Sequence, residues 1–279
     1  MIMAVREKTV VIIGGFDDIR SGQIRFLEEA SKWGRLHVML CDDKTVQAIE
    51  GKTPKFPLAE RQYFLQAVRY VHKVHVVDEH TDIDSLPNVS GVCPDMWVVS
   101  EEQDNEAKQS FCAKRGYGYH VLKNTDLAGF PESGAEADSS ESSRRKVLAT
   151  GCYDWFHSGH IRFFEEVSEL GDLYVVVGHD ANIRALKGEG HPMLCQEERK
   201  YMVQSIRYVK EALISTGDGW LDAEPEIERI QPDIYAVNED GDKPVKRAFC
   251  KQHRIEYVVL KRIPKQGLPK RESTELRGF

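Results

Sequence analysis

Residues 146–180 read KVLATGCYDWFHSGHIRFFEEVSELGDLYVVVGHD, and this stretch decides the fold. A β-branched apolar run, KVLATG (146–151), closes on a glycine. Ile161, Phe164, Val167 and Leu170 then recur at helical spacing with Phe163 beside them, which predicts an amphipathic helix. Gly171 stands where such a helix stops, and LYVVVGHD (173–180) is a second apolar strand. The rhythm continues with a helix near 196–209, a strand near 211–215 and a helix near 222–230. DIYAVN (233–238) is the next strand, followed by a helix near 243–253 and a strand at YVVLK (257–261). Strands alternating with helices predict an α/β fold, a Rossmann-like doubly wound parallel sheet with right-handed crossovers.

The chain carries this pattern twice. IRFFEEVSELG (161–171) answers IRFLEEASKWG (24–34), and ERKYMVQSIRYV (198–209) answers ERQYFLQAVRYV (60–71). PDIYAVNEDGDKPVKRAFCKQHRIEYVVLK (232–261) answers PDMWVVSEEQDNEAKQSFCAKRGYGYHVLK (94–123). The offset is 137 residues early and 138 late, so the copies differ by about one residue in length. Internal duplication therefore predicts two tandem domains, 6–123 and 145–279, each long enough to bury its own core. NTDLAGFPESGAEADSSESSR (124–144) is rich in Ser, Glu, Gly and Ala and reads as a flexible linker. Its composition explains solvation without a regulatory phosphorylation role.

Composition narrows the function classes. The net charge of −7 argues against a broad nucleic-acid or membrane surface, and 41% hydrophobic content is ordinary for a soluble domain. No signal peptide precedes the first strand and no apolar run reaches the length of a membrane span, so a cytoplasmic protein is expected. The six cysteines show no CxxC pairing or zinc spacing and read as reduced thiols.

The copies differ where chemistry would be done. GCYDWFHSGH (151–160) faces GGFDDIRSGQ (14–23), so His157 faces Arg20 and His160 faces Gln23. Open α/β sheets bind ligands at the carboxyl ends of their strands, which is where HSGH falls. Gly151 permits a tight turn, and the unpartnered N–H groups of the next helix suit phosphate oxygens. Ser158 is a candidate cap, and His157 and His160 can present imidazoles toward one ligand. Alone, HxGH is more often a pair of satisfied structural histidines, while a metal pair lacks a third ligand of suitable spacing, so no protein metal ligand is assigned. Three further elements should converge on the same sheet edge: Lys187 in NIRALKGEGHP, Arg262 after the last strand, and KRESTELRGF at the end of the sequence.

Together these motifs resemble the HxGH nucleotidyltransferase superfamily over essentially all of 145–279. The likeness is nearest to cytidylyltransferases, such as those acting on glycerol-3-phosphate and phosphoethanolamine. GCYDWFHSGH looks like their nucleotide signature, ERKYMVQSIRYV like the family's ExRxxxxxxxRYV segment, and RESTELR like its Ser/Thr-rich closing signature. DANIRALKGEGHP also resembles the loop of adenylyltransferases that make ADP-heptose. Class I aminoacyl-tRNA synthetases share HxGH, but this chain lacks a KMSKS loop and an anticodon-binding domain.

The resemblance implies attack of a substrate phosphate on the α-phosphorus of CTP, or alternatively ATP, with loss of pyrophosphate. It implies that His157 and His160 donate to the triphosphate, that Lys187 neutralises phosphate charge, and that Arg262, Ser273 and Thr274 hold the β- and γ-phosphates. Arg271 competes with Arg262 because the intervening IPKQGLPK is longer than in the family. Gly151, Cys152, Tyr153 and Asp154 would line the nucleotide pocket, with Mg²⁺ bound mostly through phosphates and water. The acceptor, a phosphorylated alcohol or sugar, lacks its usual lysine after Trp220, which leaves Lys243, Lys246 or Arg247 as substitutes. A solvated helix start explains those three equally well. A nucleotide sensor without turnover is the rival of a different class.

The first copy lacks both histidines, has Glu50 or a neighbour where the second has Lys187, and has no closing Ser-Thr segment. It reads as catalytically dead, with Arg20 as a residual anion contact. Single-domain relatives resemble dimers that meet at RYV. An intramolecular pseudo-dimer through Arg69-Tyr70-Val71 and Arg207-Tyr208-Val209 is expected on that basis.

Overall fold

The structure, a computed structural model, describes residues 6–131, 142–273 and 276. The chain divides into two compact units, Met1–Gly129 and Phe130–Phe279. In the first unit the elements run β1 (Thr9–Gly14), α1 (Ser21–Ser31), β2 (Arg35–Cys41), α2 (Asp43–Glu50), α3 (Leu58–Ala67), β3 (Lys73–Val77), β4 (Met96–Ser100), α4 (Glu106–Arg115) and β5 (Gly118–Leu122). In the second they run β6 (Lys146–Gly151), α5 (Ser158–Leu170), β7 (Asp172–Val177), α6 (Asp180–Lys187), α7 (Gln196–Gln204), β8 (Val209–Ile214), α8 (Glu224–Ile230), β9 (Ile234–Asn238), α9 (Pro244–His253) and β10 (Glu256–Leu260).

Each unit holds one parallel five-stranded sheet, β3-β2-β1-β4-β5 and β8-β7-β6-β9-β10, so the strand order is the same in both. The central strands explain the apolar runs. Val10, Val11, Val147, Leu148 and Ala149 have no exposed surface, because helices cover both faces of a parallel sheet. On α5, Ile161, Phe163, Phe164 and Val167 are buried, and each such side chain contributes about 1.5–3 kcal/mol. Leu170, placed on the same face by its spacing, is exposed at the helix end.

Gly171 has a reason beyond ending α5. A Cβ there would sit 2.1 Å from the Arg145 carbonyl, and at its counterpart Gly34 2.3 Å from the Lys8 carbonyl. In both units the backbone entering the second strand passes too close to the first for any side chain.

The expected helix over 196–209 is shorter than its spacing suggested. α7 stops at Gln204, the Ser205 hydroxyl bonds the Met202 carbonyl, and β8 already begins at Val209, which pairs with Leu173. Sheet pairing with a distant strand outweighs the local helical pattern. The segment expected as a linker is tied down where it is described. Arg25 donates to the Asp126 carbonyl at 2.8 Å, and the Phe130 ring lies 5.7 Å from that of Tyr201. No cysteine among the described residues is disulfide-bonded, and no described helix is long and apolar enough to cross a membrane.

One buried arginine in each unit ties the ends of the strands together. Arg199 is fully buried on α7. It donates to the carbonyls of Leu194 (3.0 Å), Cys152 (2.6 Å) and Gly178 (2.8 Å) and to the Asp180 carboxylate (2.6 Å). Arg61 repeats this on α3, reaching the carbonyls of Phe56, Gly15 and Cys41 and the Asp43 carboxylate. Four acceptors satisfy a charge that would otherwise be costly to bury.

Candidate active site

The strand order of the second unit reverses between β6 and β9, and a cleft of about 710 Å³ opens there at the carboxyl ends of the strands. Its turn is built by backbone geometry. Tyr153 follows β6 in the left-handed region at φ 54°, which folds its ring back over Gly151, where a Cβ would come within 2.7 Å of it. The Tyr153 hydroxyl is buried without a hydrogen-bond partner among the described residues, and burial pushes its pKa up. Asp154 is buried, and its Oδ1 accepts from the Met193 and Leu194 amides at 2.7 and 3.0 Å. This carboxylate lines the cleft while anchoring the loop before α7.

The histidines cap α5. The N-cap is His157, not Ser158, which is already helical; the His157 Nδ1 accepts from the Gly159 amide at 3.0 Å. The His157 amide in turn donates to His160 Nδ1 at 3.3 Å. Both Nδ1 atoms are therefore acceptors, which places each ring proton on Nε2. The His160 ring stacks on Phe156 (5.3 Å between centroids), meets Tyr153 edge-on (5.4 Å) and lies 4.1 Å from the His157 ring. Burial in this aromatic box holds the His160 pKa well below the usual histidine value, and the adjacent His157 ring and the positive charges of Arg262 and Lys187 further oppose its protonation. His160 is thus a neutral imidazole at neutral pH, with Nε2–H as its donor.

Of the residues singled out from sequence, Gly151, Cys152, Tyr153, Asp154, His160 and Lys187 line this one cleft, joined by Lys246, Arg262 and Ser273. His157 does not line it; it is buried behind His160. The Arg262 guanidinium bonds Asp240 (3.0 Å) and the Arg271 carbonyl (3.2 Å), with Glu272 at 3.9 Å. Arg262 lines this cleft, whereas Arg271 lies outside it and lines a neighbouring cavity together with Ser158, Gly159 and Arg262. The Ser273 hydroxyl donates to the Trp155 carbonyl at 3.3 Å. Thr274 lies outside the described residues.

The three acceptor candidates separate. Arg247 is held by Asp242 and by the Tyr257 ring, away from the cleft. The Lys243 ammonium sits 5.1 Å over the Trp220 ring and is not part of the cleft lining. Lys246 is buried inside the cleft, donates to Thr150 Oγ1 at 3.2 Å and lies 5.5 Å from the Tyr235 ring centre; burial lowers its pKa. Sequence reading missed Asn182, whose amide bonds Gly219 in both directions (2.8 and 3.0 Å) and so fixes the loop carrying exposed Trp220 into the cleft. An asparagine one turn into a helix gave no sequence signal for this contact.

Among the described residues no group of three or more His, Cys, Asp or Glu side chains converges as a metal-ligand set. The cleft carboxylates are already engaged: Asp154 by amides, Asp222 by the Ser215 hydroxyl, Asp240 by Arg262, and Glu272 by Lys270 at 3.4 Å.

A family model described as cytidylyltransferase-like matches residues 148–278. The FAD synthase of Ferroglobus placidus is 33% identical over 135 residues, covering 48% of this chain and 77% of that protein. The FAD synthase of Thermococcus kodakarensis is 41% identical over 103 residues, 36% of this chain and 67% of that protein. The bifunctional protein HldE of Campylobacter concisus is 34% identical over 136 residues, 44% of this chain but only 28% of HldE. With the cleft, the imidazole cap and these relatives in agreement, the chain belongs to the cytidylyltransferase-like family of nucleotidyltransferases, and the match lies in its second half.

Proposed function

We propose that the second unit transfers a nucleoside monophosphate from a nucleoside triphosphate to a phosphorylated acceptor. An acceptor phosphate oxygen attacks the α-phosphorus in line, the bond to the bridging β-phosphate oxygen breaks, and pyrophosphate leaves. Positioning and electrostatic stabilisation carry such a reaction, with no covalent intermediate on the protein. In this reading His160 Nε2–H donates to the oxygens that gain charge, and His157, packed against it, fixes its orientation. Lys187 and Arg262 neutralise the triphosphate, with Ser273 and Thr274 at its far end. Lys246 meets the acceptor phosphate beside Thr150, while Lys243 and Arg247 lie outside the contact. Mg²⁺ bound to the triphosphate would supply further neutralisation of the leaving pyrophosphate. The observation that supports the reading is geometric: His160, its Nδ1 taken by the His157 amide, lines one cleft with Lys187, Lys246 and Arg262.

Two bases compete. The GCYDWFHSGH and RESTELR signatures favour CTP. The FAD synthases, whose product contains an adenine nucleotide, and HldE favour ATP. A pyrophosphate-release screen decides. CTP and ATP, each with Mg²⁺, are crossed with sugar phosphates, glycerol phosphate, phosphoethanolamine and a flavin phosphate. One nucleotide with one acceptor class is expected to give turnover that His160→Ala removes. Absence of pyrophosphate release with every pair would favour a sensor without turnover.

A further inference from the structure

The first unit has a cleft of its own, about 370 Å³, at the ends of β1 and β4, where its strand order reverses. That is the place in a doubly wound sheet where ligands bind, and the volume suits a small molecule. We propose that this cleft is a second ligand site, selective for a small organic cation with an apolar body.

The walls favour an apolar body. Ile13, Val46, Trp97 and Val99 line the interior, and Ile49 and Ile83 line the mouth while remaining 41% and 53% exposed. Apolar surface left facing water at the lip of a pocket favours a ligand that covers it.

The charges select a cation. Glu50, Asp82, Glu102 and Asp104 all line the cleft. Asp82 accepts from the Ser85 hydroxyl (2.7 Å), and Asp104 from the Tyr119 hydroxyl (2.7 Å) and Gln109 (3.0 Å). These hydrogen bonds hold both carboxyls below the usual range, so both are ionised at neutral pH. The lysine in the lining, Lys108, is buried and its ammonium is taken by Asp84 at 2.9 Å. The lining histidine, His80, is turned to the Ser85 carbonyl at 3.0 Å. Arg20, the expected anion contact, is paired with Asp18 and lies outside the cleft. A triphosphate would meet four solvent-exposed carboxylates, of which Glu50 has the Lys52 ammonium 3.9 Å away, whereas an ammonium on a hydrocarbon or aromatic body meets complementary charge and apolar walls together.

The inference rests on the first unit alone and stands apart from the reaction assigned to the second. Isothermal titration of the full chain with 2-phenylethylammonium, 2-phenylethanol and phenylacetate compares three probes of nearly one shape. The ammonium is expected to bind at least about tenfold more tightly than the alcohol, and phenylacetate more weakly than either. Glu50→Lys and Asp82→Asn should each weaken the ammonium about fivefold or more while leaving pyrophosphate release and the circular dichroism spectrum unchanged. Ile83→Ser, at an exposed position that tolerates substitution, should weaken 2-phenylethylammonium and 2-phenylethanol by the same factor. Equal binding of the three probes, no saturation of the ammonium by about 10 mM, or ammonium binding unaffected by both carboxylate variants would each overturn the proposal.

Discussion

Two units with one strand order have kept the same structural devices and parted in their chemistry. The buried arginine clamp recurs bond for bond as Arg61 and Arg199, and the left-handed residue after the first strand recurs as Phe16 (φ 50°) and Tyr153 (φ 54°). Asp17 accepts from the Lys55 and Phe56 amides as Asp154 does from those of Met193 and Leu194. Even the helix cap survives, because the Arg20 amide donates to Gln23 Oε1 at 2.8 Å where the His157 amide donates to His160 Nδ1. A glutamine satisfies that amide as well as an imidazole does. The fold therefore does not require histidine at this position, and its presence in the second unit points to chemistry. The buried lysines differ likewise: Lys108 is paired with Asp84, whereas Lys246 forms no ion pair among the described residues and its nearby Asp222 accepts from Ser215 instead.

The comparison breaks most visibly at the arginines. Arg199→Ala and Arg61→Ala should each destabilise their own unit by about 3–5 kcal/mol, since each leaves three carbonyls without their donor and an unfilled space where a fully buried side chain stood, while the partly exposed Asp180 or Asp43 carboxylate loses its partner. Urea unfolding read separately for the two units would check it, and a loss confined to Arg199 would show that the clamps are not equivalent. Next comes the chemical difference. His160→Ala should keep the fold and lower turnover about 10²–10³-fold, equivalent to about 2.7–4 kcal/mol, while Gln23→His should create no activity because Glu50 remains in place of a lysine. Steady-state pyrophosphate release reads both.

Lys246 sharpens the contrast further. Lys246→Ala should raise the acceptor KM about tenfold or more with a smaller change in kcat, and Lys246→Arg should recover part of it; Lys108→Ala should leave both constants alone. The smallest effect is in pH. Burial, followed by the charges of His75, His72, Lys73 and Arg35, lowers the pKa of His37 from 6.5 to about 4. Between those values the unfolded chain binds a proton that the folded first unit refuses, so stability is lost as pH falls through that window and is unaffected above it. His37→Asn should flatten the decline, measured as urea midpoints across the range.

The sheets were legible because buried parallel strands are written as unbroken apolar runs, and Val147–Ala149 is one. The end of α7 was not, since the pairing of Val209 with Leu173 is settled by a strand far away in sequence. Lys187, Arg262 and His160 could be gathered on one edge from their places after strands. Lys246 was indistinguishable from a solvated helix lysine until the Thr150 contact placed it indoors. Arg199 was legible only as part of a recurring segment; flanked by Glu198 and Lys200, as Arg61 is by Glu60 and Gln62, it carried no local mark of burial.

The grip of Asp240, Glu272 and the Arg271 carbonyl on Arg262 has a thermodynamic corollary. On the proposed reaction, a polyanion entering the second cleft would have to swap with resident carboxylates instead of meeting a bare guanidinium. Part of the Coulomb gain is cancelled by the contacts surrendered, and the freed acids are left free to recruit a counter-cation. Nucleotide affinity should consequently respond less steeply to ionic strength than a tally of the cleft's positive charges suggests.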